Sequence, residues 1–431
     1  MRGSAMRHDH DHGKDKRPML DTRTRPFDLT RSETFRDGHP FAVYDAIRAA
    51  EPVYRNPGDG RSPPIWVLTR HRDVEAVSRD TANFTSTQGF RVFEQGGVAA
   101  LKPHIREAIT STLLTMDPPD HTRIRRPMQA HFLPSALHRL EARIDSFVRD
   151  MVAALPANTE IEFVTRVAAV VPIRTLCLLL DIPEADRARV FDWTNRLVGT
   201  SDPEYGASAE DSNAVFEEVF DYGTRLLERR SAEPGDDLLS VVAQMFGGEE
   251  AGMRNVRRGM FTLLLAAGNE TTRNSLSGSI VALSAAPDQR RMLAENPDLI
   301  ARAIPELLRF VTPVIQMMRV ARSDVEVGGQ PIAAGDRVAM LYGAANRDPE
   351  MFDDPHRLDI ARPNAARHLS FGIGIHHCLG ARIAALQLNA ILRALLGRFP
   401  EIGAVRDPAY LQSNFVCGIK HLAVHLGPER R

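Results

Sequence analysis

A single cysteine in a glycine-rich stretch is the residue with the clearest potential for chemistry. Cys378 lies in the segment 371–380, FGIGIHHCLG, and a helix-forming run follows it directly. The free N–H groups at the start of that helix would face the sulfur, which favours a thiolate over a thiol. A thiolate in such a loop could be a nucleophile or a metal ligand, and the loop alone leaves both open.

A second set of polar residues interrupts a predicted buried helix. Residues 256–285 contain no proline, and residues 260–267 are almost wholly apolar. This length gives about eight helical turns, and Gly268, Glu270 and Thr271 fall in the middle. A buried carboxylate and hydroxyl cost free energy unless they are paired or hydrated. Such a local conflict is typical of a functional site.

Charged residues at helical spacing form the remaining candidates. Glu306 and Arg309 carry opposite charges one helical turn apart, and His121 and Arg125 are spaced to share one helix face. Surface helices often carry such pairs. The position of Glu306 and Arg309, between the interrupted helix and the cysteine segment, is therefore the more informative feature.

The elements that must position these residues are mainly helical. Helical patterns recur over residues 135–230, with a Gly-, Pro- and Ser-containing break at 200–208. Strand patterns occur at 53–54, 65–69 and 325–332. We predict a mainly α protein with small β-sheets, in the α+β class. Residues 1–18 are interpreted as an expression tag, and residues 19–431 as a single domain.

Composition argues against several classes of protein. The chain has 431 residues, 43% hydrophobic and 25% charged, and a formal net charge of -1. Without a long basic run, nucleic acid is not an expected partner. No apolar run reaches the roughly 20 residues of a membrane span, so we predict no membrane anchor. The sparse cysteines, Cys177, Cys378 and Cys417, give no disulfide framework and indicate a cytoplasmic protein.

The cysteine segment resembles the haem-binding loop of the cytochrome P-450 superfamily. Phe371, Gly374, His376, Cys378 and Gly380 fill the fixed positions of that loop. The resemblance covers residues 38–427 and implies the cytochrome P-450 fold. Haem b would lie between the long central helix and the helix after the cysteine, with Cys378 as the axial ligand of the iron.

The same resemblance gives roles to the interrupted helix. Residues 267–271, AGNET, are similar to the oxygen-binding groove of the family. There, Thr271 would hydrogen-bond dioxygen and Glu270 would relay protons through water. Gly268 would remove a side chain where another group must approach.

Two further sets of residues match positions of the family. The haem propionates would be held by His121, Arg125, Arg319 and His376. Glu306 and Arg309 match a structural Glu-x-x-Arg pair whose third member is an arginine. Arg357 is the predicted third member and Arg362 a competing candidate. Gln387 stands where many members have glutamate, and we predict a surface position for it.

The resemblance implies a haem-thiolate monooxygenase that uses dioxygen. No flavin or nicotinamide fingerprint occurs, so a ferredoxin with its reductase is the expected electron donor to a monomeric enzyme. Basic residues near the cysteine could attract this partner: Arg123, Arg126, His377 and Arg382. An apolar pocket for a terpenoid, steroid or fatty-acyl substrate is predicted from Phe90, Val92, Leu263, Leu264, Ala267, Val314, Ile315, Phe415 and Val416.

Three alternatives stay open at this point. The substrate could be a polyketide or another secondary metabolite. The protein could be a haem-thiolate isomerase or dehydratase that needs no external electrons, or a non-enzymatic haem sensor or carrier. The intact pair of Glu270 and Thr271 weighs against the last two, because neither needs a proton-delivery apparatus.

Overall fold

The computed structural model describes residues 27–58, 63–93, 100–205, 208–245 and 251–430, without the side chains of 251–253. The predicted tag at 1–18 and the predicted domain start at residue 19 lie outside the described residues. Within them, the predicted mainly α architecture with small sheets is confirmed. No helix in the described ranges has the length and apolar character needed to cross a membrane.

Fourteen α-helices form about half of the described chain. They are α1 (Phe41–Ala50), α2 (His71–Arg79), α3 (Pro103–Ile109), α4 (Asp120–Gln129), α5 (Pro134–Ala153), α6 (Val170–Leu179), α7 (Arg187–Val198), α8 (Ala209–Ala232), α9 (Leu238–Met245), α10 (Ala251–Ala285), α11 (Pro287–Glu295), α12 (Ile300–Val311), α13 (Tyr342–Ala345) and α14 (Ala381–Arg398). The predicted break at 200–208 is present between α7 and α8.

Twelve short strands complete the described fold. They are β1 (Val53–Asn56), β2 (Ile65–Leu68), β3 (Phe84–Thr85), β4 (Glu160–Glu162), β5 (Gln316–Ala321), β6 (Val325–Val327), β7 (Gln330–Ile332), β8 (Arg337–Leu341), β9 (Gly403–Ala404), β10 (Ala409–Tyr410), β11 (Ile419–His421) and β12 (Ala423–His425).

The strands build one larger sheet and three small ones. The five-stranded sheet has the order β1-β2-β8-β5-β3, and the others are β4-β12-β9, β10-β11 and β6-β7. Strands β2 and β8 are parallel, whereas the other pairs of the large sheet are antiparallel. The β6–β7 hairpin turns at Gly328 and Gly329, with φ of +58° and +84°. Glycine adopts these angles without steric cost, which explains why two glycines form the turn inside the strand pattern predicted at 325–332.

Helix α10 lies at the centre of the fold. It has 35 residues and packs against α3, α6, α7, α8, α12 and α14. Because neighbours cover it on several sides, its apolar run needs no solvent-facing stripe. Met260, Phe261 and Leu265 are accordingly fully buried. The helix begins five residues before the predicted start at 256.

Candidate active site

A large cavity lies between α10, the loop 371–380 and the start of α14. It contains about 2410 Å³ of space between protein atoms, a volume that includes open solvent at its mouth. The candidates that line it are Phe90, Arg125, Leu263, Leu264, Ala267, Gly268, Glu270, Thr271, Val314, Arg319, Phe371, His376, Cys378, Gly380, Phe415 and Val416.

Two predicted pocket residues do not line the cavity. Val92 and Ile315 are at most 1% exposed and pack in a core cluster with Phe27 and Met318. Ile315 follows Val314 in an extended segment, where neighbouring side chains point to opposite faces. Only Val314 therefore faces the cavity, and the prediction for Val92 and Ile315 is wrong.

Two glycines of the predicted site are explained by packing. A Cβ on Gly374 would lie 2.8 Å from the carbonyl oxygen of Ser78, and its φ is +77°. Gly374 thus lets the loop lie against α2, where the Ser78 hydroxyl donates to the carbonyl of Ile373 over 2.8 Å. A Cβ on Gly268 would lie 2.9 Å from the side chain of Leu176. The group that approaches Gly268 is therefore a leucine of α6.

Cys378 lies on the cavity wall with its thiol in a partly compensated environment. Its N–H donates to the carbonyl of Phe371 over 2.8 Å. Burial raises the pKa of the thiol, while the backbone N–H groups of Gly380 and Ala381 and the charge of Arg125 lower it. Without a metal cation beside the sulfur, the net direction is upward. A bound metal cation would deprotonate the thiol, so the site fits a metal ligand better than a free nucleophile.

Two buried histidines meet at the edge of the cavity. The ring centroids of His121 and His376 are 4.6 Å apart. Burial lowers the pKa of His121 to about 4 and that of His376 to about 2, so both rings are neutral. His376 Nε2 is 3.1 Å from the hydroxyl of Ser86. Within the described chain, His121 Nε2 and His376 Nδ1 have no hydrogen-bond partner despite their burial. Such atoms are rare and need a partner.

Two arginines lie beside these histidines. Arg125 donates to the carbonyl of His377 over 2.6 Å, and Arg319 to that of Met318 over 2.7 Å. Both line the cavity, and burial lowers the pKa of both guanidinium groups. Guanidinium groups and orphaned ring nitrogens at a cavity edge suit carboxylates. The residues present therefore fit a haem: Cys378 would bind the iron, and this cluster would hold the propionates.

Helix α10 brings Glu270 and Thr271 to the same cavity. The Thr271 hydroxyl donates to the carbonyl of Ala267 over 3.1 Å, one turn earlier. Glu270 is 1% exposed, and burial raises the pKa of its carboxyl, an effect that Arg273 partly offsets. Arg273 donates to Glu270 Oε2 over 2.6 Å. The sequence prediction missed Arg273, although its i, i+3 spacing from Glu270 is the signal that identifies Glu306 and Arg309.

The buried ion pair of α12 includes a different third residue from the one predicted. Arg309 donates to both oxygens of Glu306, over 2.6 and 2.8 Å. Arg362 also donates to Glu306, over 3.1 Å to Oε2, and is 8% exposed. The Arg357 side chain is instead 67% exposed and lies 3.5 Å from Asp359. Arg362, the competing candidate, therefore replaces Arg357.

This ion pair supports the cysteine loop through hydrogen bonds. Arg309 donates to the carbonyl of Asn346 over 2.8 Å. The Asn346 amide in turn accepts from the N–H of Leu369 over 2.7 Å and donates to the Ser370 hydroxyl over 2.9 Å. Ser370 donates to the carbonyl of Leu308 over 2.8 Å. Helix α12 thus holds the segment that enters the loop.

Two polar wall residues were also missed from the sequence. Gln387 is 2% exposed and lines the cavity, so the predicted surface position is wrong. Its helix, α14, is covered by α5, α10 and α12. Arg91 lines the cavity with its guanidinium carbon 4.4 Å from the ring centroid of Phe93 and 4.7 Å from that of Phe415. Nothing in their spacing marks either residue as a wall residue.

The chain is similar to known proteins along most of its length. Residues 213–402 match the family model described as Cytochrome P450. A linalool 8-monooxygenase of Pseudomonas putida is 35% identical over 93% of this chain and 99% of its own. A steroid C26-monooxygenase of Mycobacterium bovis is 33% identical over 92% of both chains.

A solved structure agrees with these relatives. The cytochrome P450 of Mycobacterium marinum in complex with pseudoionone superposes with a TM-score of 0.81 and 35% identity, over 89% of this chain and 94% of that one. This similarity over most of the chain agrees with the geometry of the cavity, whose thiol, paired histidines and arginines fit a haem. The chain thus belongs to the cytochrome P450 family and is a haem-thiolate monooxygenase that acts on lipophilic compounds with dioxygen.

Proposed function

We propose that this monooxygenase hydroxylates or otherwise oxidises a terpenoid, steroid or fatty-acyl compound. The proposal rests on the composition of the cavity wall near α10 and near residues 415–416. Its side chains are mainly aliphatic and aromatic: Phe90, Ile109, Leu113, Leu263, Leu264, Ala267, Val314, Phe415 and Val416. Such a surface binds hydrocarbon skeletons by burial of apolar area. Relatives named for linalool and steroid oxidation support the same classes.

In this proposal, the residues of the haem end bind and orient the cofactor. Cys378 would bind the haem iron, and His121, Arg125, Arg319 and His376 would hold the propionates. When bound, the haem with its cysteine ligand supplies the activation of dioxygen. The protein supplies position, charge and exclusion of water around it.

Glu270 and Thr271 are the proposed proton-transfer residues. Thr271 lines the cavity, and its hydroxyl oxygen can accept a hydrogen bond from water while it donates to the carbonyl of Ala267. Glu270, the residue before Thr271 in α10, also lines the cavity and can exchange a proton with that hydroxyl through water. A carboxyl with a raised pKa is suited to this exchange, because it takes up a proton more readily than an exposed glutamate does.

The proposed electron donor is a ferredoxin with its reductase, which docks where the cysteine loop approaches the surface. Arg126 and Arg382 are exposed on α4 and α14, and Arg125 ties α4 to the loop. His377 is exposed on the loop as well, but desolvation and the charge of Arg125 lower its pKa, so it adds little positive charge. Arg123 contributes less charge because Asp120 lies 3.1 Å from it. An acidic partner would be attracted to this face. A cytoplasmic location is part of the same proposal, since a thiol ligand and such a donor suit a reducing compartment.

Substrate binding tests the proposed class directly. Purified holoenzyme is titrated with a terpene alcohol, a sterol and a fatty acid, and the shift of haem to high spin is recorded. We expect at least one of these compounds to bind and to yield an oxygenated product with ferredoxin, reductase and NAD(P)H. Binding of polar compounds alone would contradict the proposal.

A matched pair of variants checks that binding uses this cavity. Leu263→Trp, which fills the cavity, should abolish the spin shift but keep the spectrum of the reduced carbon-monoxide complex. Val405→Trp should change neither, because Val405 is 49% exposed on the surface.

Thr271→Ala tests the proposed proton transfer. We expect electron consumption to continue while product per electron pair falls, by about tenfold or more. Thr262→Ala is the control, since Thr262 also lines the cavity and donates to a carbonyl one turn earlier, over 2.9 Å. Equal coupling in both variants would contradict the role of Thr271.

A further inference from the structure

Arg273 is a buried charge that none of the roles above uses. Its side chain is 2% exposed and lies one turn after Glu270 in α10. One arm, Nη2, donates to Glu270 Oε2 over 2.6 Å. The other arm, Nη1, donates to Asn195 Oδ1 on α7, also over 2.6 Å. A buried guanidinium with these two contacts joins the carboxylate to a neighbouring helix.

The two oxygens of Glu270 are in different situations. Oε2 accepts from Arg273 and, over 3.4 Å, from the amide of Asn274. Oε1 is buried and has no hydrogen-bond partner in the described part of the chain, while Glu270 forms part of the cavity wall. A buried carboxylate oxygen without a donor is costly. The arrangement therefore leaves one oxygen ready to accept a proton or a hydrogen bond from the cavity.

We propose that Arg273 is the positioning residue of the proton relay: it holds Glu270 through Oε2 and leaves Oε1 for proton exchange. This inference rests on the relay role proposed for Glu270. Arg273 touches neither substrate nor haem in this account and acts only through the carboxylate.

The charge of Arg273 affects the pKa of Glu270, and this effect can be measured. Burial raises the pKa of Glu270, and Arg273 and Asn274 lower it. Tyr205, between α7 and α8, is the other described titratable group that interacts with both Glu270 and Arg273. Burial raises the pKa of Tyr205 to about 12, so the phenol stays neutral. From α6, α12 and α14, no described charge acts on Glu270. Loss of the Arg273 charge therefore raises the pKa of Glu270 further, by about one to three units.

The second arm of Arg273 ties the relay to the wall that holds the substrate. Next to Asn195, Thr194 accepts from the amide of Asn269 over 2.8 Å. Two adjacent side-chain hydrogen bonds thus join the centre of α10 to α7. Leu197 of the same helix lines the cavity. The position of the carboxylate consequently depends on the position of α7.

The decisive experiment measures the protonation of Glu270 in the holoenzyme without turnover. Isotope-edited infrared spectra at a series of pH values report the carboxylic acid C=O band, and Glu270→Gln identifies that band by its loss. We expect Arg273→Gln to move its titration upward by about one to three pH units. Arg273→Lys should restore most of the wild-type titration because it keeps the charge. An unmoved titration in Arg273→Gln overturns the inference.

Turnover gives a second readout that a merely structural role would not change. With Glu270 protonated, product per electron pair in Arg273→Gln should fall about tenfold at neutral pH and recover as the pH rises by the same one to three units. Glu270→Gln combined with Arg273→Gln should be no worse than Glu270→Gln alone. Arg362→Lys, a change in the other buried ion pair, should lower stability without moving the pH profile.

Failure of the relay and failure of the inference give different results. If Glu270→Gln leaves coupling intact, the proposed relay is wrong, and with it the functional part of the inference. If Glu270→Gln uncouples the enzyme but Arg273→Gln has a wild-type pH profile, the relay stands and Arg273 is only a structural partner.

Discussion

Two buried Glu–Arg pairs lie on neighbouring helices with the same i, i+3 spacing, yet their carboxylates differ in how many of their oxygens accept hydrogen bonds. Glu306 on α12 accepts hydrogen bonds at both oxygens, from Arg309, from Arg362 and from the N–H of Asp359. Glu270 on α10 accepts at Oε2 only. Both carboxylates are at most 1% exposed, so burial does not distinguish them.

This difference indicates which buried charged residues are able to take part in chemistry. A carboxylate whose oxygens are all occupied is held in one state and supports the fold. A carboxylate on a cavity wall whose second oxygen accepts no hydrogen bond can accept one from a water molecule or a substrate group. The number of donors at each oxygen, more than the presence of an ion pair, separates the structural role of Glu306 from the chemical role proposed for Glu270.

The largest effect is expected from removing the carboxylate of the fully occupied pair. Glu306→Gln leaves Arg309 and Arg362 buried without an anion, which should lower the free energy of unfolding by about 3–5 kcal/mol. Haem content should fall too, because α12 supports the cysteine loop. Denaturant unfolding and haem quantification measure both effects. Glu326→Gln, at an exposed position, is the control, and equal stability of the two variants would refute the structural role.

The same substitution in the other pair should damage chemistry more than the fold. Glu270→Gln leaves one buried arginine, Arg273, without an anion, against two for Glu306→Gln, and keeps an oxygen that can accept from it, so we expect a smaller loss in the free energy of unfolding, about 1–3 kcal/mol. Product per electron pair should fall about 100-fold. Coupling measurements beside denaturant unfolding test this. A loss of unfolding free energy as large as that of Glu306→Gln would show that both pairs serve to stabilise the fold.

The third residue of the structural pair gives a smaller, more selective effect. Arg362→Lys loses the planar fork that donates to the carbonyl of Asp354 as well as to Glu306. We expect a loss of about 1–3 kcal/mol in unfolding free energy. Arg357→Lys should change it by less than about 0.5 kcal/mol, since that side chain is exposed. The reverse order of stabilities would restore Arg357 as the third member.

The smallest effect concerns the pH dependence of stability. Burial raises the pKa of Glu270 in the folded chain, so the unfolded chain binds fewer protons above the model value of 4.5. Stability therefore falls as pH rises from there to the folded pKa, by at most about 1.4 kcal/mol per pH unit. Glu270→Gln cannot ionise and should show a flatter profile in urea titrations at pH 4–8, unlike Glu326→Gln. A slope unchanged by Glu270→Gln would contradict the raised pKa.

The sequence was most informative where local chemistry decides the structure. The Gly-Gly turn at Gly328 and Gly329, the proline-free run of α10 and the break between α7 and α8 are local features, and all are present. The cysteine loop was found because its glycines and its following helix are contiguous. The resemblance then predicted the family that the relatives show.

Predictions failed where the outcome depends on packing between distant segments. Gln387 is polar, which suggested the surface, but α14 is enclosed by other helices. Val92 and Ile315 are apolar like their neighbours, and only the direction of each side chain separates cavity from core. The thiol pKa of Cys378 depends on how much desolvation opposes the backbone N–H groups. Spacing along the chain does not reveal that balance.

The way the two arginines bind segment 353–357 has a consequence for evolution and for protein engineering. Arg309 and Arg362 donate to the main-chain carbonyls of Asp353, Asp354, Pro355 and Arg357. Every residue type offers the same carbonyl oxygen, so most side chains there can change while the hydrogen bonds persist; Asp354 is the exception, because its φ of +43° favours Asp, Asn or Gly. Asp353 and Arg357 are exposed, which makes this rim a tolerant site for labels or new surface charge close to a rigid core.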